Sequence, residues 1–367
     1  MNRIKALDML RGFALLSIML NHMPISVARN VTLSNYFLFD AAELFVLLSG
    51  FLVGLVWWQV STRNGTGAAQ KRFAIRAWQV WRAMLIGAVL MAALSALLLW
   101  FGLRHTAVWL EYGRMLMRDP LQYVIDVGGL WMQPNLIDVL ALYVILIALV
   151  PLVMPAIARW PWVVAAVLFA IWMAAVPLNQ MIPNQRPGKG GFLFNPFGWQ
   201  VLFFTGAAMG YYRREVLAML APYARAMTVI AWGILLFGAL VLIGWRVGEP
   251  LKPMRDFLWL FHGPIDKWSL DEARFVSILA ASWLVAVPLH GVFARLADTG
   301  AGRAMAVIGR GGLVTFIACV LLSIFGDAMQ MMVRESVTLK LVADVWVILA
   351  LWVVGEWLER RARRQGP

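Results

Sequence analysis

Cysteine is almost absent from these 367 residues, with only Cys319, which stands inside an apolar run. A single thiol excludes an intrachain disulfide framework, a CxxC redox pair and a cysteine-built zinc cluster. Charge is scarce as well. Asp, Glu, Lys and Arg make up 14% of the chain, where a soluble domain has roughly 25%, and hydrophobic residues reach 62% against roughly 45–50%. So few charges cannot cover a soluble surface, which excludes the two or three soluble domains that the length alone would suggest. Heptads, low-complexity tracts and obvious internal repeats are missing too, and no metal site is expected.

What is present is positive charge, 32 Lys and Arg against 19 Asp and Glu, in short clusters between apolar stretches. No basic stripe alternates with aromatic residues on a polar background, so no nucleic-acid partner is expected. Clusters of this kind are the pattern of a polytopic membrane protein. Arg3 and Lys5 precede an apolar run as in a secretory signal, but Asp8 and Arg11 interrupt the approach. No small-x-small cleavage site follows near Ser26 to Arg29, so the first run is expected to stay as an uncleaved membrane helix.

A helix needs about 20 apolar residues to cross a bilayer core of roughly 30 Å. Runs of that kind predict about ten transmembrane helices, over 8–29, 38–60, 78–102, 136–156, 160–179, 196–212, 226–246, 274–293, 306–326 and 338–358. With the N-terminus in the cytoplasm, the cytoplasmic side receives 19 of the 32 basic residues and 5 of the 19 acidic ones. The positive-inside rule therefore predicts both termini in the cytoplasm. The expected fold is all-α, a single integral-membrane domain over residues 1–367 of a cell's inner membrane. Its long loops, 103–135, 180–195 and 247–273, face the periplasm and hold Trp109, Tyr112, Tyr123, Trp131, Trp259, Trp268, His105 and His262.

Ionisable residues inside spans are costly, and each is a functional candidate. Most of them fall in the first two predicted helices. Arg11 and His22 are 11 residues apart, three turns plus roughly 20°, so they share one face with an axial separation of about 16 Å. Asp8, one turn before Arg11, can pair with it. Asp40 and Glu43 are an i, i+3 pair in the outer half of the second span. A helix N-terminus welcomes acids, which accounts for Asp40 better than for Glu43. A carboxylate beside His22 would fix its tautomer and stabilise its imidazolium. Gly50 and Gly54 form a small-xxx-small pair that lets a helix or a ligand approach closely. Asn135 and Asp138 open the fourth span, and Asn195, Trp199 and Gln200 the sixth; the asparagines can also be read as helix caps. Gly309-Arg310-Gly311-Gly312 is a glycine-rich turn with an arginine, a seat for phosphate at a helix start. His290 can be structural.

From Leu7-Asp8-Met9-Leu10-Arg11-Gly12 to His22, with Phe45-Val46-Leu47-Leu48-Ser49-Gly50-Phe51 after it, the chain resembles the transmembrane acyltransferase superfamily. Within it, three stretches are similar to the OpgC family, associated with succinylation of osmoregulated periplasmic glucans. They are Asp40 to Val46, Phe194-Asn195-Pro196-Phe197-Gly198-Trp199-Gln200, and Ile308-Gly309-Arg310-Gly311-Gly312-Leu313. The third departs from the family pattern, in which a polar residue more often follows the arginine.

The resemblance implies acyl transfer from a coenzyme A thioester, succinyl-CoA or acetyl-CoA, to a sugar hydroxyl, with no tightly bound cofactor. The donor's phosphates would lie among Arg11, Arg310, Lys71, Arg72 and Arg76. Its pantetheine arm would span the gap to His22, the general base, oriented by Glu43 or Asp40. Trp131, Trp199, Gln200, Trp259 and Trp268 are candidates for holding the saccharide, although such tryptophans also anchor membrane interfaces. The alternative is a transporter or flippase for a sugar or lipid-linked substrate. It would commonly show paired repeats and broken helices in both halves. A non-catalytic scaffold has no use for an Arg–His face.

Overall fold

A computed structural model describes residues 4–183, 191–247, 256 and 262–364. Among these residues the chain is helices and turns, with no strand. In order, α1 is Lys5–Asn21, α2 Ala41–Asn64, α3 Thr66–Trp100, α4 Leu110–Arg118, α5 Pro120–Gly128, α6 Asp138–Arg159, α7 Pro161–Met173 and α8 Ala175–Gln180. The second half holds α9 Pro196–Tyr211, α10 Arg213–Leu220, α11 Ala224–Val247, α12 Glu272–Ala286, α13 His290–Asp298, α14 Gly300–Arg310, α15 Gly312–Met332 and α16 Val337–Arg364.

Every predicted span coincides with a helix or a helix pair, but their lengths differ. Six stretches are long and apolar enough to cross a membrane: α2, α3, α6, the run from Arg213 to Gly244, α15 and α16. The pair α12 and α13, bent by 74°, makes a seventh if taken as one span. Pro288 stands in that break, where it has no N–H to continue the helix hydrogen bonds. The predicted 306–326 helix is likewise divided, because Gly312 has a positive φ of 61° between α14 and α15. Helix α1 stops at Asn21, three residues before Pro24, and the chain then turns through two short 3-10 segments. Helix α3 starts at Thr66 rather than 78, because its first turns are polar and lie outside any apolar run.

Small residues fix the central crossings. Gly50 and Gly54 of α2 interlock with Gly206 and Gly210 of α9, so the partner at the glycine pair is a helix. A Cβ at Gly50 would stand 2.0 Å from the Phe203 carbonyl oxygen. The two helices run parallel, Leu47 beside Gly206 and Phe51 beside Gly210. Helix α1 runs parallel to α15, with Cys319 Sγ on the Leu15 carbonyl and Ser323 Oγ on that of Met19.

Both ends of the described chain meet at one end of the bundle. Gly309 abuts the Asp8 carbonyl, Lys5 pairs with Asp298 at 2.6 Å, and Arg310 pairs with Glu359. At the opposite end, Asp344 of α16 accepts the Val27 and Ala28 amides at 2.9 Å and so pins the chain just after His22. Asp327 of α15 does the same for Thr106 and Ala107.

Candidate functional site

Toward the end that holds the termini, a cavity of about 680 Å³ opens between α2, α3, α6 and the start of α15. Arg11, Lys71, Arg72 and Arg76 line it, and among the described residues no acidic one does. Arg76 feels the like charges of Arg11 and Arg72, and its Nη1 donates to Gln79 Oε1 at 3.1 Å. The rest of the wall is mostly apolar, with Leu52, Val53, Val56, Leu140 and Ile147 among it, and includes Phe45, Tyr143 and Phe316. The Phe45 ring lies 5.5 Å from Tyr143 and 6.1 Å from Phe316. On α2 the lining runs from Phe45 to Val56, about 16 Å at the helical rise per residue. Phe45 follows Glu43 by two residues, so along the helix the cavity reaches within a turn of that carboxylate.

Arg310, the fifth cation of the expected donor site, is not in that wall. Its guanidinium is bound to Glu359, which also takes Arg363 at 2.6 Å. Gly312 and Leu313 of the same turn do line the cavity.

The opposite end carries a compact ionic cluster. Asp40 caps α2, its Oδ1 accepting the Ala42 amide at 2.7 Å, and Glu43 reaches back so that its Oε2 accepts the Asp40 amide at 2.9 Å. This capping box accounts for Glu43, which the helix dipole alone did not. Arg274 of α12 donates from Nε to Glu43 Oε1 at 2.6 Å, and its Nη2 lies at the same distance from that oxygen as an ion-pair contact. Lys267 Nζ lies 2.6 Å from Asp40 Oδ2. Burial weighs against the Lys267 ammonium, but Asp40 and Glu43 outweigh it and hold its pKa above the ordinary lysine value. Neither cation was a candidate in the sequence; both lie in or after a long loop, and only folding brings them to α2.

His22 ends α1 as its C-cap residue, close enough to Lys267, Asp40 and Arg29 to feel their charges. All four oxygens of Asp40 and Glu43 are taken by Arg274, Lys267 and backbone amides. Among the described residues no hydrogen bond joins either carboxylate to the imidazole, and Asp40 acts on it through space.

The aromatic candidates separate. Trp199 is fully buried, its Nε1 donating to the Trp268 carbonyl at 3.0 Å, and a ring so enclosed cannot stack on a sugar. Gln200 is buried and donates to the Leu168 and Phe197 carbonyls. Trp199 ties down a backbone carbonyl and Asn195 caps α9, whereas Gln200 keeps its Oε1 buried with no hydrogen-bond partner among the described residues. Trp268 is 43% exposed next to Lys267, whose Nζ lies 5.7 Å from its ring centroid. Trp131 is 41% exposed on the turn before α6, and no hydrogen bond or ring contact among the described residues ties it to the cluster. Trp259 lies outside the described residues. His290 is exposed at the start of α13, and His105 is buried with Nε2 3.0 Å from Ser95 Oγ.

Among the described residues one group has metal-ligand chemistry: ligand atoms of His262, Asp271 and Glu272 lie within 4.8 Å of one another. His262 Nε2 is 3.1 Å from Asp271 Oδ1, an oxygen that also caps α12 through the Ala273 amide.

A family model described as OpgC protein matches residues 3–363, nearly the whole chain. No curated protein matches it.

Proposed function

The chain belongs to the OpgC family, and on that premise we propose that it is a membrane O-acyltransferase acting on a glucan. The acyl group, succinyl by the family's association, would come from cytoplasmic acyl-CoA and go to a hydroxyl of a periplasmic glucan or other saccharide. In this reading residues 1–367 form one domain that crosses the inner membrane about ten times, with both termini cytoplasmic. The parallel pairs α1 with α15 and α2 with α9 agree with such alternation.

The observation that carries the reading is the cavity of about 680 Å³ with four cations and, among the described residues, no acid in its wall. Its size lies within the usual range for small-molecule sites, roughly 300–1,000 Å³. Phosphates of the donor suit the cations, since charge-assisted contacts to Arg and Lys are the strong ones. The apolar wall up to Phe45 suits an extended pantetheine arm. The thioester then arrives beside the first turn of α2, where His22 stands on the far side of the bundle from the basic end.

His22 would take the proton of the acceptor hydroxyl while its oxygen attacks the thioester carbon. The C–S bond then breaks, and the departing thiolate of coenzyme A recovers the proton from the imidazolium. No acid, base or metal beyond His22 is needed for that balance. Purified protein incubated with labelled succinyl-CoA and glucan tests the reading: labelled glucan and free coenzyme A are expected in equal amounts. Movement of unmodified saccharide across a bilayer, with no labelled product, would favour the transporter.

A further inference from the structure

We infer that Lys267 is a further catalytic residue, the cation that receives the negative charge developing on the carbonyl oxygen during transfer. The inference rests on the acyltransferase reading above.

Lys267 stands on a fixed base. The Trp268 carbonyl accepts the Asn195 amide at 2.9 Å and Trp199 Nε1 at 3.0 Å. Trp172 Nε1 holds the Leu270 carbonyl at 2.8 Å, and Asn195 Nδ2 reaches Ser269 Oγ at 3.2 Å. Gly198 leaves room for this segment, since a Cβ there would stand 2.0 Å from the Ser269 carbonyl oxygen. The motif at 194–200 thus serves to seat the lysine rather than to touch the sugar.

The two cations of the cluster are not equivalent. Arg274, with a side chain 13% exposed, donates from Nε to Glu43, and its Nη2 is enclosed between Glu43 Oε1 at 2.6 Å and Asp40 Oδ2 at 3.4 Å. Lys267 is 35% exposed and donates to one carboxylate oxygen only. An ammonium has three N–H bonds, so two stay available to a ligand. It is also the cation whose charge acts most on His22. When the acceptor oxygen attacks, the carbonyl π pair moves onto the carbonyl oxygen; a fixed ammonium there stabilises the tetrahedral intermediate without reorganising. As the intermediate collapses, that pair reforms the carbonyl and coenzyme A leaves.

The test is the purified full-length chain with succinyl-CoA and glucan. Lys267→Met should lower kcat by about 10²–10³, as loss of one such donor does, with both KM values little changed. Lys267→Arg keeps a donor and should restore most of the rate. If Lys267→Met alone is unstable, Lys267→Met/Asp40→Asn removes both charges and is compared with Asp40→Asn. Equal kcat in those two, or wild-type kcat in Lys267→Met, would overturn the inference while leaving the acyltransferase reading intact. A wild-type protein that transfers nothing would instead remove the reading itself.

Discussion

The two ends of the bundle treat charge in opposite ways. At the basic end, Arg11, Lys71, Arg72 and Arg76 face a common cavity whose wall, among the described residues, contains no carboxylate. At the other end, Asp40 and Glu43 are matched by Lys267 and Arg274, with Arg274 near both carboxylates. Lys71, Arg72 and Arg76, gathered around an open space, repel one another, a cost that an anionic ligand relieves. Paired charges in a buried place need no ligand, and their value lies in fixing geometry beside His22. The first arrangement suits binding and the second suits chemistry.

Breaking the account at its chemical end should have the largest effect. His22→Ala is expected to lower turnover by about 10²–10⁴ while the protein stays folded and inserted, as loss of a general base does. Near-wild-type turnover in the purified variant would take His22 out of the mechanism. Arg274→Met tests the paired cluster by stability instead. It leaves Glu43 buried with no cation on Oε1, which typically costs about 3–5 kcal/mol. A melting curve indistinguishable from wild type would show that Arg274 is not what holds Glu43.

At the basic end the expected signature is different. Arg72→Ala should raise the donor concentration required by about tenfold, with kcat and glucan dependence unchanged, because a remote phosphate contact serves binding. A fall in kcat at saturating donor would mean that the cavity takes part in chemistry. The smallest effect belongs to Arg310→Ala, since its guanidinium is held by Glu359 outside the cavity. A rise in donor requirement as large as that of Arg72→Ala would return Arg310 to the donor site.

Helices were the most legible feature, because apolar runs announce themselves at a helix's length. Breaks within them were not. The bend at Pro288 and the turn at Gly312 divide single apolar runs, and composition windows average over such points. In the site, Arg11, His22, Asp40 and Glu43 could be found because they interrupt apolar sequence. Lys267 and Arg274 could not, since charges in and beside a polar loop carry no such contrast. Trp199 was no clearer, since an aromatic near a helix start looks the same whether it faces a ligand or ties down a backbone carbonyl. Only its burial and its bond to the Trp268 carbonyl separate the two.

The central claim is that donor and acceptor meet His22 from opposite faces of the membrane. Proteoliposomes of known orientation test it directly, with labelled succinyl-CoA supplied on the face that carries residues 5 and 359 and glucan on the other. Labelled glucan on the acceptor side, with free coenzyme A only on the donor side, is the predicted result. Product formed only when both substrates share one face would contradict the account, even with His22 essential.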